Sequence, residues 1–577
     1  MKKIYLSDVG ILPGTDITLA LYKLFKENPY DTEFVFENAD YYFSPHEEMR
    51  FDYRLSNSDI VPWRVLAVCM KKMKNCILRG NGARLFLEGQ MQVFTIDECE
   101  NITLCDFTVN WKKPLVAEGK VSACADRYLD VCIDGRVFPH RFCDGVLEFD
   151  TGADEWYRAN RGLIAFDENM CVRRSTGDFF VTKVHELEKD LYRFETNYPC
   201  GIRVGDLLNI RHNARIHAGV FAEKSTNTVV ENITFHSCGG LGCLAQFCRD
   251  ISFRGVNFLP DTSSGRHVSS GRDDGMHITC CSGKVTVSGC SFHALMDDPI
   301  NIHGCCVTSN EVVDEYTLRC NYRHPQACGF KYWAEYGDEI AFIERGAMNR
   351  IGTAQALSYT LEDDNTFLLK FSSPIPDEIL ALARRGESLA LDNLTNTAEF
   401  LCENNRFGSC RARGILVSTP KKVVIRNNYF ESSGSAILVA GDSNYWFESG
   451  ECRDVLICDN IFTSKCNSSE YEFCEGVISI CPVVPKPELS KPYHKNISIT
   501  RNVFDLSQKA ALYGFSCQNL VFSENRIHKD PAFGRKNDDL FVLSFCTDVV
   551  LKNNEFIGFE TNEPKISATN CKNLDKR

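Results

Sequence analysis

Lys422-Val423-Val424-Ile425-Arg426-Asn427-Asn428-Tyr429-Phe430 is followed by Asp454-Val455-Leu456-Ile457-Cys458-Asp459-Asn460-Ile461-Phe462. Each phrase is a polar residue, a run of alternating β-formers, a small or polar turn and a closing aromatic. Earlier copies are Asn101-Ile102-Thr103-Leu104, Asn232-Ile233-Thr234-Phe235, Asp250-Ile251-Ser252-Phe253 and Lys284-Val285-Thr286-Val287. Later ones begin at Asn496, Asn519 and Asp548. Closing residues fall 23 apart three times: 235 to 258, 407 to 430 and 504 to 527. Alternation with period two, Asn-rich corners and a spacing in the twenties predict a β-solenoid. The Leu-x-x-Leu-x-Leu signature of a leucine-rich repeat is missing.

Residues 112–215 and 306–398 lack the phrase but still alternate as short strands. Each holds a similar turn-strand, Val204-Gly205-Asp206-Leu207-Leu208-Asn209-Ile210 and Tyr336-Gly337-Asp338-Glu339-Ile340-Ala341-Phe342. The expected organisation is a cap and first coils over 1–111, with a helix from Ile17 to Phe25. An inserted β-barrel-like domain follows over 112–215, then coils over 216–305. A second barrel-like insertion covers 306–398 and the last coils 399–577. Such a chain grows along one axis, which is how 577 residues escape the size limit of one compact core.

The net charge of −13 argues against a nucleic-acid partner. No apolar run is long enough to span a bilayer, so no membrane partner is expected. The opening Met1-Lys2-Lys3-Ile4-Tyr5-Leu6-Ser7-Asp8 has no apolar core behind its lysines and does not read as a signal peptide. The expected location is therefore the cytoplasm, with the 29 cysteines reduced and mostly buried.

Two acidic clusters lie within the third segment, Asp273-Asp274-Gly275-Met276-His277 and Asp297-Asp298-Pro299-Ile300-Asn301-Ile302-His303. One register shift aligns Asp274 with Asp298, Met276 with Ile300, Ile278 with Ile302, Asp273 with Asp297 and His277 with Asn301. Residues one coil apart stack about 4.8 Å apart, so the carboxylates converge. Strand alternation puts Asp274 and Asp298 on one side and Asp297 on the other. A regular strand would carry Asp274 and Asp298 into the core with the apolar residues, so a bend is expected that brings them to the surface at a corner. Pro299 fits strand entry after such a bend. Convergent carboxylates are the equipment of glycoside hydrolysis. Asp-rich corners can also cap turns or hold calcium; the alternating Asp/Asn pattern of a calcium loop is missing.

The segment from Gly271-Arg272-Asp273-Asp274-Gly275-Met276-His277 through Cys281-Ser282-Gly283, Cys290-Ser291-Phe292 and Met296-Asp297-Asp298 to Asn301-Ile302-His303-Gly304 resembles glycoside hydrolase family 110. Gly240-Leu241-Gly242-Cys243, Arg411-Ala412-Arg413-Gly414-Ile415 and Gly441-Asp442-Ser443-Asn444-Tyr445-Trp446-Phe447-Glu448 extend the resemblance over most of the chain. It departs at Asp273, Met276 and Pro299. The resemblance implies a right-handed parallel β-helix with two β-barrel insertions and an exo-acting, inverting α-1,3-galactosidase. It implies Asp297 as the acid, with Asp274 and Asp298 holding and deprotonating water. No cofactor and no metal are expected.

Sugar recognition calls for an aromatic platform and charged donors. Trp446 and Glu448 are candidates for such a wall, against a structural Trp at a corner. Arg272, Asp273, His277, Asn301, His303, Arg411 and Arg413 complete the substrate-binding set; Arg272 is weighed against a plain salt bridge, His277 and His303 against satisfied structural histidines, and of Arg411 and Arg413, which alternate on a strand, one is expected to face the groove. Trp333 reads as core of its insertion. Cys280-Cys281 and Cys305-Cys306 near His277 and His303 lack Cys-x-x-Cys spacing and read as buried thiols rather than a zinc site. The expected partner is an oligosaccharide ending in α-galactose, with homodimerisation left open. The alternatives are a polygalacturonase-like hydrolase of uronate polymers, and a glycan-binding β-helix without catalysis.

Overall fold

The computed structural model describes residues 1–576 except 160–161, 174–179, 198–200, 213, 268–272, 328–329, 387, 467–470, 472, 507–508, 531–538 and 560–564. The chain is a parallel β-helix. One face is a 14-stranded sheet whose parallel strands run from Arg64–Lys71 to Ile566–Thr569. A 23-stranded sheet bends around the other two faces. Its corners coincide with the Asn-rich positions of the repeat phrase. The register matches that phrase directly: Val423 pairs with Val455, Ile425 with Ile457, and Phe430 with Phe462.

Two ladders explain why the repeat looks as it does. The closing aromatics stack inside the helix, with ring centroids 5.4 Å apart for Phe235–Phe258, 4.5 Å for Phe407–Phe430 and 5.1 Å for Phe430–Phe462. At one corner Asn405, Asn428, Asn460, Asn502 and Asn525 stack, each donating its amide to the next side-chain oxygen at 3.0 Å up to Asn525. Asn525 completes the chain to Asn554 at 3.2 Å. The residue before each ladder Asn turns left-handed, as at Asn427 (φ 55°) and Asp459 (φ 58°). Asn and Asp tolerate that conformation best, hence the Asn-Asn and Asp-Asn pairs.

Helix Thr18–Glu27 buries Leu21, Leu24 and Phe25 against the first coils as a cap. The second insertion is a closed six-stranded barrel between Val307–Asp314 and Leu389–Asn393. Trp333 lies in its core and donates its indole N–H to the Cys305 carbonyl at 2.7 Å. The first insertion is an antiparallel six-stranded sheet, with a three-stranded sheet from His140–Cys143 to Glu155–Arg158 sharing its core. Its described strands form an open sheet rather than a closed barrel. Val116, Ile164, Phe166 and Val172 from this insertion pack on Ala294 and Met296, anchoring the loop that ends in Asp297. Every cysteine among the described residues is free, and most are buried.

Candidate active site

Asp274 ends the corner before Met276–Thr279, and Asp297 and Asp298 end the corner before Ile300–Cys305. Met276 pairs with Ile300 and Ile278 with Ile302, so Asp274 stacks beneath Asp298 as the shift requires. Gly275 makes the bend: a Cβ there would lie 2.7 Å from the Pro299 carbonyl and 2.8 Å from the Phe292 ring. The apolar residues after the bend enter the core, while Asp274, Asp297 and Asp298 turn onto one pocket. Corners of neighbouring coils add Arg215, Arg413 and Tyr471, and the loops add Asn57, Asp442, Trp446 and Glu448. With its open mouth the pocket measures about 710 Å³, within the range of small-molecule sites.

The bend does not bring all the acids to the surface. Asp273, Asp274 and Asp298 are 3%, 2% and 1% exposed, and only Asp297 is half-buried. Arginines make this burial tolerable. Asp298 accepts the Arg413 backbone N–H and its Nη2, each at 2.8 Å. Asp297 Oδ2 accepts Arg411 Nη2 at 2.9 Å. Arg215 lies 3.6 Å from both Asp273 and Asp274. Its buried Nε and Nη2 have no hydrogen-bond partner among the described residues. Burial, then the Asp297 charge, pushes the Asp274 carboxyl well above the usual range. Burial also raises Asp298, with Arg413 opposing. Burial works against the Arg215 and Arg413 charges, but the surrounding aspartates outweigh it. Tyr471 lies beneath both Arg411 and Arg413, 5.2 and 5.0 Å from its ring centre.

Behind Asp274 is a layer of imidazole. His277 Nδ1 is 2.8 Å from Asp274 Oδ2, and its Nε2 is 3.1 Å from His303 Nε2. Glu448 reaches this layer from Glu448–Ser449, antiparallel to the His303 strand. It accepts Asn301 Nδ2 at 3.3 Å and lies 3.5 Å from His303. Burial would raise Glu448, but His303 and His277 hold it below the ordinary value. Among the described residues, His277, His303 and Glu448 are the group whose donor atoms are near enough to hold a metal ion. The loop leading to Glu448 is fixed by Asp442, which accepts the backbone N–H of Asn444 at 2.6 Å and those of Tyr445, Trp446 and Phe447.

Of the residues expected from sequence, Asp274, Asp297, Asp298, Asn301, Arg413, Trp446 and Glu448 line the pocket. Asp273, His277 and Arg411 stand one layer behind it, and His303 lines a small adjoining cavity. Arg272 lies outside the described residues. Trp446 is 38% exposed at the rim, its ring 4.5 Å from His324. Sequence reasoning missed Arg215, Asn57 and Tyr471, which carry no repeat phrase. Arg215 alone had an available signal: it ends an insertion just before a coil strand, where Arg413 also sits relative to its own strand.

Residues 317–381 match the family model described as GLAA-B beta-barrel domain II, within the closed barrel. The chain is 38% identical over 578 residues to the alpha-1,3-galactosidase B of Bacteroides thetaiotaomicron, covering 96% of this chain and 91% of that protein. It is 28% identical to the alpha-1,3-galactosidase B of Akkermansia muciniphila, over 90% of this chain and 64% of that longer one. A family 28 exopolygalacturonase from Yersinia enterocolitica overlays with a TM-score of 0.45 at 10% identity, covering 100% of this chain and 79% of that one. With a carboxylate trio at the corner of a barrel-bearing β-helix and a relative this similar along nearly its whole length, the chain belongs to the α-1,3-galactosidase family of glycoside hydrolases.

Proposed function

We propose that the chain releases terminal α-1,3-linked galactose from oligosaccharides by a single inverting displacement. The observation that carries this reading is the convergence of Asp274, Asp297 and Asp298, from the corners of two stacked coils, on one pocket. Three carboxylates this crowded retain a proton between them. Asp297 is the one of the three placed to serve as the acid towards the leaving oxygen. It is the most open of the three, and among the described residues only its Oδ2 is engaged, by Arg411. Asp297 gives its proton to the glycosidic oxygen as the bond from that oxygen to the anomeric carbon breaks. Water held by Asp274 and Asp298 attacks the opposite face and gives up its proton to that pair. β-Galactose and a free acceptor hydroxyl result.

Arg413 keeps Asp298 aligned, and His277 does the same for Asp274. Arg215 lines the pocket beside Asp274 and offers a cationic partner for a sugar hydroxyl. Glu448, Asn301 and Asn57 offer further polar contacts, and Trp446 a platform for the apolar face of the ring.

The test is hydrolysis of an α-1,3-galactosyl disaccharide followed by proton NMR. β-Galactose should appear first and mutarotate later. Initial α-galactose, or no release, overturns the reading.

A further inference from the structure

The structure assigns His277, His303 and Glu448 to a divalent transition-metal site of the zinc class, seated in the pocket wall one side chain behind Asp274. His277 lies on Met276–Thr279 and His303 on the neighbouring Ile300–Cys305, two register positions further along. Glu448 arrives from the other side, opposite Cys305. The two Nε2 atoms are 3.1 Å apart, and Glu448 Oε1 is 3.5 Å from that of His303. All three atoms lie within 4.8 Å of one another. Ligand atoms about 2.0–2.2 Å from a tetrahedral zinc sit roughly 3.3–3.6 Å apart, close to the two distances here.

The hydrogen positions give the argument its force. His303 Nδ1 is 2.6 Å from the Gly304 carbonyl, which only accepts, so this nitrogen carries the hydrogen. His277 Nδ1 faces Asp274, which accepts when ionised. With Asp274 ionised, both Nε2 atoms of the neutral rings are bare lone pairs pointing at each other with a carboxylate oxygen beside them; a protonated Asp274 would instead donate to His277 Nδ1 and put the ring hydrogen on Nε2, between the two histidines. Three acceptors without a donor between them is a costly arrangement in a buried site. Ser56 Oγ, at 3.5 Å from His277 Nε2, offers one long contact. A cation at their centre resolves the conflict. Metal-bound histidines characteristically donate their second N–H to a carboxylate or a backbone carbonyl, and Asp274 and Gly304 are one of each.

The surroundings fit a three-ligand site with an open position. Ser56, Asn57, His303, His324, Trp446 and Glu448 border a cavity of about 20 Å³, enough for one water. The nearby thiols are poor competitors, since burial pushes Cys280 up to about 12. The metal would touch no reacting atom. It would position Asp274 through His277, and Glu448 directly, so hydrolysis would not be routed through it.

The alternative that satisfies the same three acceptors is a single proton on the histidine pair, and metal binding separates the two. Untagged chain freed of metal by chelation should take up one zinc ion per chain in competition with a chromophoric chelator. Cobalt(II) should give visible d–d bands of a four- or five-coordinate nitrogen–oxygen site without thiolate charge transfer. His303→Ala, or Glu448→Gln should His303→Ala fail to fold by thermal melting, should weaken binding a hundredfold or more. Absence of stoichiometric uptake by the wild-type chain overturns the site in favour of the shared proton. Unchanged affinity in the folded variant, or a thiolate band, overturns it in favour of the cysteines. The readout is metal content, so a chain that binds zinc but releases no galactose would sink the hydrolase reading and leave this one standing.

Discussion

Two corners of the same helix stack identical side chains one coil apart, with opposite consequences. Asn405 to Asn525 form a column in which every amide donates to the next and, after Asn405, accepts from the previous one; Asn405 accepts the Cys290 backbone N–H. Asp274 and Asp298 form a column of two groups that, once ionised, can only accept. The amide column is satisfied by its own repetition. The carboxylate column requires Arg215 and Arg413 on neighbouring coils and the imidazole of His277 behind it. A repeat fold amplifies whatever it stacks, so a stacked acid pair maintained by three cationic or polar partners marks the coils selected for chemistry rather than stability.

The strongest way to break the comparison is Asp297→Asn. The amide oxygen can still accept from Arg411, so the fold should persist. Turnover of an α-1,3-galactosyl disaccharide should fall about 10³-fold or more, the scale of a lost general acid. An aryl galactoside, whose leaving group needs less protonation, should suffer much less. Equal losses on both substrates would remove the acid role from Asp297.

Next comes Asn460→Asp, which carries the defect of the acid corner into the amide ladder. Asn460 donates to Asn502 Oδ1 and to the Ile425 carbonyl, both at 3.0 Å. A carboxylate there would face two acceptors and destabilise the chain by about 3 kcal/mol in denaturant unfolding at neutral pH. Its folded pKa would be raised, so stability should recover as pH falls and be lost as pH rises through that value. A pH-independent cost would mean that the damage is steric.

Gly275→Ala tests the bend itself. With a Pro299 oxygen 2.7 Å from the added Cβ, the corner must shift, at a cost of about 2 kcal/mol. Because Asp274 is the preceding residue, kcat should drop more than KM rises. Unaltered kinetics would show that the acid column tolerates displacement.

The two corners were not equally legible. The amide ladder is written in the chain as a left-handed residue followed by Asn, and the phrase recurs because each copy makes the same local bonds. The register of Asp274 on Asp298 could be read for the same reason, since it depends only on counting one coil. Burial of those acids could not, because it depends on Met296 being clamped by the first insertion and on Arg215 arriving from its far end. Glu448 was legible as a candidate residue, but its pairing with His303 rests on an antiparallel contact between segments more than 140 residues apart. Closure of the second insertion, and the open arrangement of the first among the described strands, likewise rests on long-range strand pairing that alternation alone does not encode.

The smallest effect sharpens the comparison most. Burial and the neighbouring Asp297 charge raise Asp274, so the folded chain holds that proton more tightly than the unfolded chain does. The stability this contributes is complete below the unfolded value near 3.8 and is lost as pH rises through the folded one. Asp274→Asn removes the titration while leaving an oxygen for the His277 N–H. At pH 7–8 it should therefore be the more stable protein, by about 1 kcal/mol in thermal or denaturant unfolding, even as it loses the water-holding base and its turnover. The advantage should shrink towards pH 4, where the wild-type carboxyl is protonated. A variant less stable than wild type across that whole range would mean that Asp274 is held by favourable pairing, and that the acid corner is satisfied in the same sense as the ladder.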